Sequence, residues 1–161
     1  MPTNPDAARQ LLRHSVATIA YRCAKTLRGA SPKFADFQCG QSSRTPAQIL
    51  AHLGDLLDWA LSMASGDQSW HDSKPLPWDA EAARFFASLK KFDDFLASNE
   101  PLHAPLERLF QGPLADALTH VGQLALLRRL AGSPIKGENY FKAEIQAGRV
   151  GADQAAPQRE F

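Results

Sequence analysis

The chain has 161 residues, of which 44% are hydrophobic and 22% are charged. A single domain of this length can bury a hydrophobic core without help from disulfides. The formal net charge is +1 and no basic block is present, so the composition gives no support for nucleic-acid binding. Charged or histidine residues interrupt every apolar stretch well before the roughly 18 residues of a membrane span, and the N-terminal stretch MPTNPDAARQ lacks a secretory signal pattern. We therefore expect a cytoplasmic protein that binds neither nucleic acid nor membranes.

The first two helical patterns are defined by apolar spacing and by their ends. The first covers about residues 5–28, with apolar residues three or four positions apart, and the segment GASPKFADFQCGQSSR ends it. The second begins with TPAQ at residues 45–48, which has the form of a capping box, and runs to Gly66. His52 lies at the edge of the apolar stripe of this second helix. We therefore expect its side chain to reach the interior.

A third helical pattern follows the loop GDQSWHDSKPLPW and runs from about Asp79 to Ser98. Its apolar residues recur at helical spacing on one face, which predicts packing against the other helices. The two tryptophans at Trp70 and Trp78 are expected to cap one end of the resulting bundle. His71 has no helical partner, so we expect it on the surface of the loop.

The fourth pattern, PLADALTHVGQLALLRRLAG at residues 113–132, begins with proline and ends with glycine, as helices commonly do. Asp116, His120 and Gln123 fall within about 60° of one another on this helix and form a polar stripe. The remaining faces are largely apolar, which is typical of a buried helix. A buried carboxylate and imidazole need a partner, a hydrogen bond or a metal. Alternatively, the stripe faces a hydrated groove.

These four patterns predict a single domain over residues 1–161, with an all-α four-helix bundle at about 5–132. The bundle is expected to run up-down-up-down or to contain one long crossover, because the connection after the first helix is long. A short helix from about Glu138 to Ile145 and an irregular tail complete residues 133–161. No segment shows the alternating pattern of a β-strand.

The candidate functional residues are one histidine on the second helix and a carboxylate-x3-histidine pair on the fourth. Ligands at positions i and i+4 project from one helix face, and a third from a facing helix completes a set of three that leaves metal positions open. Asp116 and His120 provide the pair, and His52 provides the third side chain. The same residues also suit an Asp116–His120 core pair, with His52 bonded to a backbone carbonyl or to Asp55.

Two segments resemble a known family. TPAQILAHLGDLLDWAL and DALTHVGQLALLRRLAGSP are similar to segments of the DinB/YfiT-like family of four-helix proteins regarded as metalloenzymes. That family has one histidine in its second helix and a His-x3-His pair in its last long helix, followed by Gly-Gln and a Leu-Arg-x-x-x-Gly ending. His52 matches the first position, and His120 with Gly122-Gln123 matches the last. Asp116 stands where the family has a histidine.

The resemblance implies a divalent metal ion (zinc, nickel, iron or manganese) held by His52, Asp116 and His120. It also implies a small-molecule substrate and one of two reactions, transfer to or from a low-molecular-weight thiol or hydrolysis by a metal-bound hydroxide. Asp55 and Gln123 each follow a histidine by one turn, so they either orient these ligands or are ordinary surface or packing residues.

Two further expectations concern the surroundings of the site. Trp59, Tyr140 and the loop tryptophans either line a substrate pocket or belong to the core. The last bundle helix is apolar on two sides and family members are often dimers, so a homodimer is expected. The alternative to an enzyme is a non-catalytic dimeric bundle that binds a small ligand or a partner protein.

Overall fold

A computed structural model describes residues 5–161 of the chain, and in this range it confirms an all-helical fold. The helices are α1 (Pro5–Leu27), α2 (Pro46–Ser65), α3 (Trp78–Ala97), α4 (Leu106–Leu109) and α5 (Ala115–Leu130). Two short 3-10 turns occupy Pro32–Asp36 and Tyr140–Lys142. Among the described residues, β-pairing is limited to one isolated bridge between Glu138 and Glu160. None of the described helices is long and apolar enough to cross a membrane.

Local sequence fixes both ends of α2, the helix that carries His52. The Gln48 amide donates to the Thr45 hydroxyl oxygen at 3.3 Å, and the Thr45 amide donates to the Gln48 side-chain oxygen at 2.9 Å. This is the predicted capping box. The helix ends at Gly66, whose φ of +86° is a conformation that other residues rarely adopt. The position of His52 along the bundle is therefore set by its own helix.

The last bundle helix begins earlier than the sequence predicted. The helical path starts at Leu106, passes through a π-helical turn at Phe110–Leu114, and continues as α5. Pro113 lies within this turn instead of opening the helix. Proline lacks an amide donor and its ring clashes with the carbonyl four residues back, and the wider turn accommodates both effects. The expectation that proline marks a helix start was therefore wrong by one to two turns.

The directions of the helices follow from contacts near their ends. Arg13 of α1 donates to Asp93, near the end of α3, so these two helices are antiparallel. Arg128, near the end of α5, donates to the Thr26 carbonyl near the end of α1, so α1 and α5 are parallel. The Ala64 carbonyl near the end of α2 accepts from the amide of His103, which precedes α4. The end of α2 therefore lies beside the segment that joins the end of α3 to the start of α4. As a result, α2 is antiparallel to α5 and parallel to α3.

A return connection at residues 66–77 makes this parallel arrangement of α2 and α3 possible. It runs back along α2, with Ser69 hydrogen-bonded to Ser62, Trp70 against Trp59, and Ser73 hydrogen-bonded to Asp55. The bundle therefore contains one long crossover, which was one of the two predicted topologies. That crossover follows α2, whereas we expected it after α1, and the up-down-up-down alternative is wrong.

The core lies between the four long helical segments and contains the largest buried side chains of each. Fully buried members include Ile19, Leu50, Leu53, Phe85, Phe92 and Leu124. Cys23 is buried and Cys39 is exposed, and both are free thiols. Trp78 is buried and packs edge-on against Phe34 at 5.6 Å, so it caps one end of the bundle as expected. Trp70 does not cap that end.

The C-terminal tail packs back onto the bundle through a buried acid. Glu138 accepts a hydrogen bond from the Tyr21 hydroxyl and another from the Lys25 ammonium, each at 2.6 Å. The expected helix at 138–145 is absent apart from the 3-10 turn Tyr140–Lys142. Asn139 has a non-helical backbone and its side chain accepts from the Phe141 amide, which favours a single tight turn. The prediction of a short α-helix in the tail was wrong.

Candidate metal centre

The structure brings together the three residues that the sequence singled out as metal ligands. The Nε2 atom of His52 lies 3.7 Å from one carboxylate oxygen of Asp116, and the Nε2 atom of His120 lies 3.5 Å from the other. The centroids of the two imidazole rings are 4.7 Å apart and the rings are nearly perpendicular. One ligand atom from each residue lies within 4.8 Å of the others. The three side chains therefore converge on one point between α2 and α5.

The convergence follows from the antiparallel packing of α2 and α5. Asp116 and His120 lie one turn apart on α5, immediately after the π-helical turn, and His52 projects from the facing side of α2. Both histidine side chains are mostly buried, whereas the Asp116 side chain is 47% exposed. Of the two alternatives for this polar stripe, the structure agrees with the hydrated groove, because this face of α5 borders an open cavity lined by His120 and Gln123.

The three side chains do not hydrogen-bond to one another. Distances of 3.5 and 3.7 Å exceed the range for a nitrogen–oxygen hydrogen bond. Two ligand atoms that each lie ~2.1 Å from a tetrahedral ion are about 3.4 Å apart, so the observed separations need only small changes to hold one. Two imidazoles and a carboxylate form a donor set suited to catalytic zinc and to non-haem iron. The geometry and the donor chemistry both fit a divalent metal.

Gln123 contacts the nitrogen of His120 that faces away from the cluster. The Nδ1 atom of His120 lies 2.8 Å from the amide oxygen of Gln123, and the imidazole N–H donates in this pair. With the proton on Nδ1, the lone pair of Nε2 is directed toward Asp116 and His52. A hydrogen bond of this kind fixes the tautomer and the ring orientation that a metal ligand needs.

Asp55 does not have the role that its spacing from His52 suggested. Its buried carboxylate accepts from the Ser73 amide at 2.8 Å, from the Ser73 hydroxyl at 2.7 Å and from the Arg84 guanidinium at 3.0 Å. These partners belong to the return connection and to α3. Asp55 therefore holds the connection against the bundle, and the expectation that it orients His52 is not supported by its contacts.

The surroundings of His52 favour its neutral form. Burial lowers the pKa of His52 below its ordinary value, and the nearby His120 and Arg44 lower it further, while the negative charge of Asp116 opposes the shift. The neutral imidazole is the form that binds a metal ion. The electrostatics of His52 are thus compatible with a ligand role near neutral pH.

Two aromatic side chains cover one flank of the cluster. The ring of Trp70 packs edge-on against His52 at 5.7 Å, and Trp59 packs edge-on against Trp70 at 5.7 Å. Tyr140 lies elsewhere, against Tyr21, so it does not line this site. The expectation that the loop tryptophans line a pocket or belong to the core did not specify the contact of Trp70 with His52, because a helical pattern does not report the path of a loop.

A second acidic group lies beside the return connection. The Nε2 atom of His71 is 3.1 Å from Asp55 and 3.4 Å from Asp58, and these three residues also satisfy the spacing of a metal cluster. Arg84 already contacts both carboxylates, at 3.0 and 3.5 Å, and supplies the positive charge that they need. This group therefore acts as an ion-pair network that anchors the connection. We expected His71 on the loop surface without a helical partner. It is half-exposed, but its contacts with α2 contradict the second part of that expectation.

A cavity of about 510 Å³ opens beside the two histidines. Its lining is mainly apolar, with Ile49 from α2 and Leu126 and Leu127 from α5, and it includes His52 and His120. A smaller cavity of about 310 Å³ lies against the return connection and also includes His52. The candidate metal centre is therefore accessible to a small molecule.

Comparisons with family models, with curated proteins and with solved structures find no match to this chain. The resemblance to the DinB/YfiT-like family thus rests on residues 45–61 and 116–134 alone, with a carboxylate at one ligand position. The chemistry of the site follows from its own residues, which are two imidazoles and a carboxylate at the wall of a mainly apolar cavity.

Proposed function

We propose that the protein is a metal-dependent enzyme of the DinB/YfiT-like type, with a divalent ion held by His52, Asp116 and His120. The observation that carries the proposal is the convergence of two imidazole Nε2 atoms and a carboxylate from separate helices without a hydrogen bond between them. Neither imidazole Nε2 atom is within hydrogen-bonding distance of the carboxylate, although all three groups lie close enough together to share one ion. A shared cation explains why these three groups face one another.

The proposed reaction is either transfer involving a small thiol or hydrolysis. A divalent ion bound at such a site lowers the pKa of a coordinated water or thiol, which supplies the nucleophile. The protein contributes the surroundings of that nucleophile. Gln123 orients His120 through its Nδ1 proton, Trp70 and Trp59 restrict water on one flank, and the apolar cavity receives the substrate.

A non-catalytic dimeric bundle is the second candidate, because α5 presents apolar side chains to solvent. Leu126 is 55% exposed and Leu130 is 54% exposed, and both lie on the helix that carries Asp116 and His120. Exposed apolar patches often mark protein–protein contacts. In this case the three polar residues would be kept for binding or stability, and the chain would bind a small ligand or a second copy of itself.

Metal stoichiometry tests the proposal. Untagged protein is dialysed against chelator, reloaded separately with zinc, nickel, iron(II) and manganese, and its metal content and melting temperature are measured. We expect about one equivalent of at least one metal, bound more weakly in His52→Ala and in His120→Ala because each loses one of three ligands. His14→Ala is the matched control, because His14 is exposed on α1, away from the cluster. Its metal content should equal that of the wild type.

Two outcomes would overturn the metal proposal. One is a wild-type protein that takes up none of the four metals and keeps the same melting temperature when they are added. The other is full metal content in both His52→Ala and His120→Ala, which would place the ion elsewhere. Either result would favour the non-catalytic bundle, and sedimentation of the wild type would then test whether it forms a dimer.

A further inference from the structure

Arg44 is a cation without a protein partner at the mouth of the candidate site. It lies one residue before the Thr45 cap of α2 and is exposed, and among the described residues no hydrogen bond or ion pair engages its guanidinium. It lines both the larger and the smaller cavity together with His52. A guanidinium presents several donors in a planar arrangement that matches a carboxylate. An unpaired arginine in this position is suited to bind an anionic ligand.

The larger cavity combines this single cation with apolar walls. Arg44 is the one lining side chain with a permanent formal charge, and the lining surface is mainly apolar, with Ile49, Leu126 and Leu127 among its residues. The smaller cavity differs, because Asp55 and Asp72 accompany Arg44 and Lys74 there. Negative groups beside the cations make that cavity a poor choice for an anion. The larger cavity is therefore the better candidate for an anionic, partly apolar ligand.

The metal proposed above would strengthen the preference of the larger cavity for an anionic ligand. Two neutral imidazoles, one carboxylate and a divalent ion carry a net charge of +1, and Arg44 adds a second positive charge at the same cavity. Both positive charges attract an anion that enters this cavity. A cationic ligand would be repelled, and a neutral one would leave the guanidinium without a partner.

We propose that the substrate is a small organic acid, whose carboxylate binds Arg44 while its apolar body packs against Ile49, Leu126 and Leu127 beside the metal ligands. This inference names the substrate class of the proposed enzyme and therefore rests on the proposed function. It gives Arg44 the role of a substrate-binding residue. The volume of the cavity, about 510 Å³, is enough for a substituted aromatic or medium-chain acid.

Matched probes test the inference. Binding of 4-phenylbutyrate, 4-phenylbutan-1-ol and 4-phenylbutylamine is measured by calorimetry on the zinc-treated wild type and on Arg44→Gln, Arg44→Lys and Arg108→Gln. We expect the wild type to bind the acid about two- to fivefold more tightly than the alcohol, since an ion pair with an exposed side chain is partly screened by water. Arg44→Gln should lose the preference, and Arg44→Lys should keep part of it. Arg108, exposed on α4 and outside both cavities, is the control, and its variant should match the wild type.

The inference is overturned if the wild type does not prefer the acid or if Arg44→Gln keeps the full preference. Zinc content, measured in the same samples, distinguishes failure of the substrate inference from failure of the metal proposal. A protein with one zinc and no preference for the acid keeps the metal centre and loses the inferred substrate class. A protein without zinc whose preference for the acid depends on Arg44 keeps the anion site and loses the enzyme.

Discussion

The Asp116 carboxylate is half-exposed, and this changes what its removal should do. On a fully buried helix, loss of Asp116 would leave a neighbouring imidazole unpaired in the core. The observed side chain keeps much of its hydration, and it lies beyond hydrogen-bonding distance of both His52 and His120. Its contribution to the stability of the metal-free protein is therefore small, and any large effect of substitution must appear in metal binding.

Substitutions at Asp116 separate these two effects. Asp116→Ala should lower zinc affinity by more than the ~10–100-fold that outer contacts to a metal site contribute, while metal-free stability changes by about 0.5 kcal/mol or less. Asp116→His keeps the i,i+4 spacing from His120 and should retain zinc. Affinity is measured by chelator competition and stability by urea unfolding. Asp36→Ala, which removes an exposed carboxylate from a 3-10 turn, is the control. Unchanged affinity in Asp116→Ala would remove this residue from the site.

The pH dependence of zinc binding should follow the protonation of His52. Because the folded protein lowers the pKa of His52, this imidazole stays neutral down to a pH below its ordinary pKa of ~6.5. Proton competition at His52 therefore begins only in mildly acidic solution, and affinity falls as the pH falls further. Chelator competition between pH 8 and pH 5 measures this. Affinity that drops already between pH 8 and pH 7 would contradict the assignment of His52 as a neutral ligand.

The buried carboxylate of Asp55 holds the middle of the return connection at residues 66–77 against the bundle. Asp55 accepts two hydrogen bonds from Ser73 and one from Arg84, and Trp70 in the same connection packs on His52. Removing a buried acceptor leaves its hydrogen-bond donors unsatisfied, which lowers the free energy of unfolding. The position of the aromatic cover over the candidate metal centre therefore depends on α2 through Asp55.

Asp55→Ala should loosen the return connection around Ser73 without unfolding the bundle. We expect a loss of about 1–3 kcal/mol in the free energy of unfolding, together with faster hydrogen exchange at the Ser73 amide. Asp58→Ala is the matched control, since Asp58 is only half-buried and its contacts with His71 and Arg84 are longer. It should cost less and leave the exchange of the Ser73 amide unchanged. Equal exchange rates in the two variants would show that Asp55 does not anchor this connection.

The sequence predicted those elements that local chemistry determines. The capping box of α2 and the apolar spacing of α1 and α3 were sufficient to place these helices. The i,i+4 spacing of Asp116 and His120 was sufficient to put both on one face of α5. The return connection and the contact of Trp70 with His52 were not predictable, because periodicity reports neither the direction of a helix nor the path of a loop. The π-helical turn at Pro113 was missed because proline is also common at a helix start.

The tail joins the bundle through charges that are completely enclosed. The side chain of Glu138 is 0% exposed and that of Lys25 is 8% exposed, and Tyr21 donates to the same carboxylate. Burial and this hydrogen bond raise the pKa of the Tyr21 hydroxyl above its ordinary value. The tyrosine therefore remains a donor throughout the physiological pH range. These contacts tie residues after α5 to the C-terminal part of α1.

Removal of one partner from this enclosed pair should be costly. Glu138→Gln leaves the Lys25 ammonium buried without a counter-charge, and we expect a loss of about 3–5 kcal/mol in the free energy of unfolding. The double variant Lys25→Met/Glu138→Gln removes both charges and should be more stable than Glu138→Gln alone. Urea unfolding of the two variants and the wild type measures the difference. A single variant within about 1 kcal/mol of the wild type, as for an exposed ion pair, would contradict a role for this pair in holding the tail.

The placement of His52 on α2 and of Asp116 and His120 on α5 also determines when the candidate site forms. The contacts that fix the bundle join distant parts of the chain, such as Arg128 with Thr26 across 102 positions and Arg13 with Asp93 across 80. Chains with many distant contacts fold more slowly than those with local ones. His52 is synthesised long before Asp116 and His120, and domains form as their segments emerge from the ribosome. A nascent chain that ends before α5 lacks Asp116 and His120, so the proposed ion would bind only once synthesis of the bundle is nearly complete.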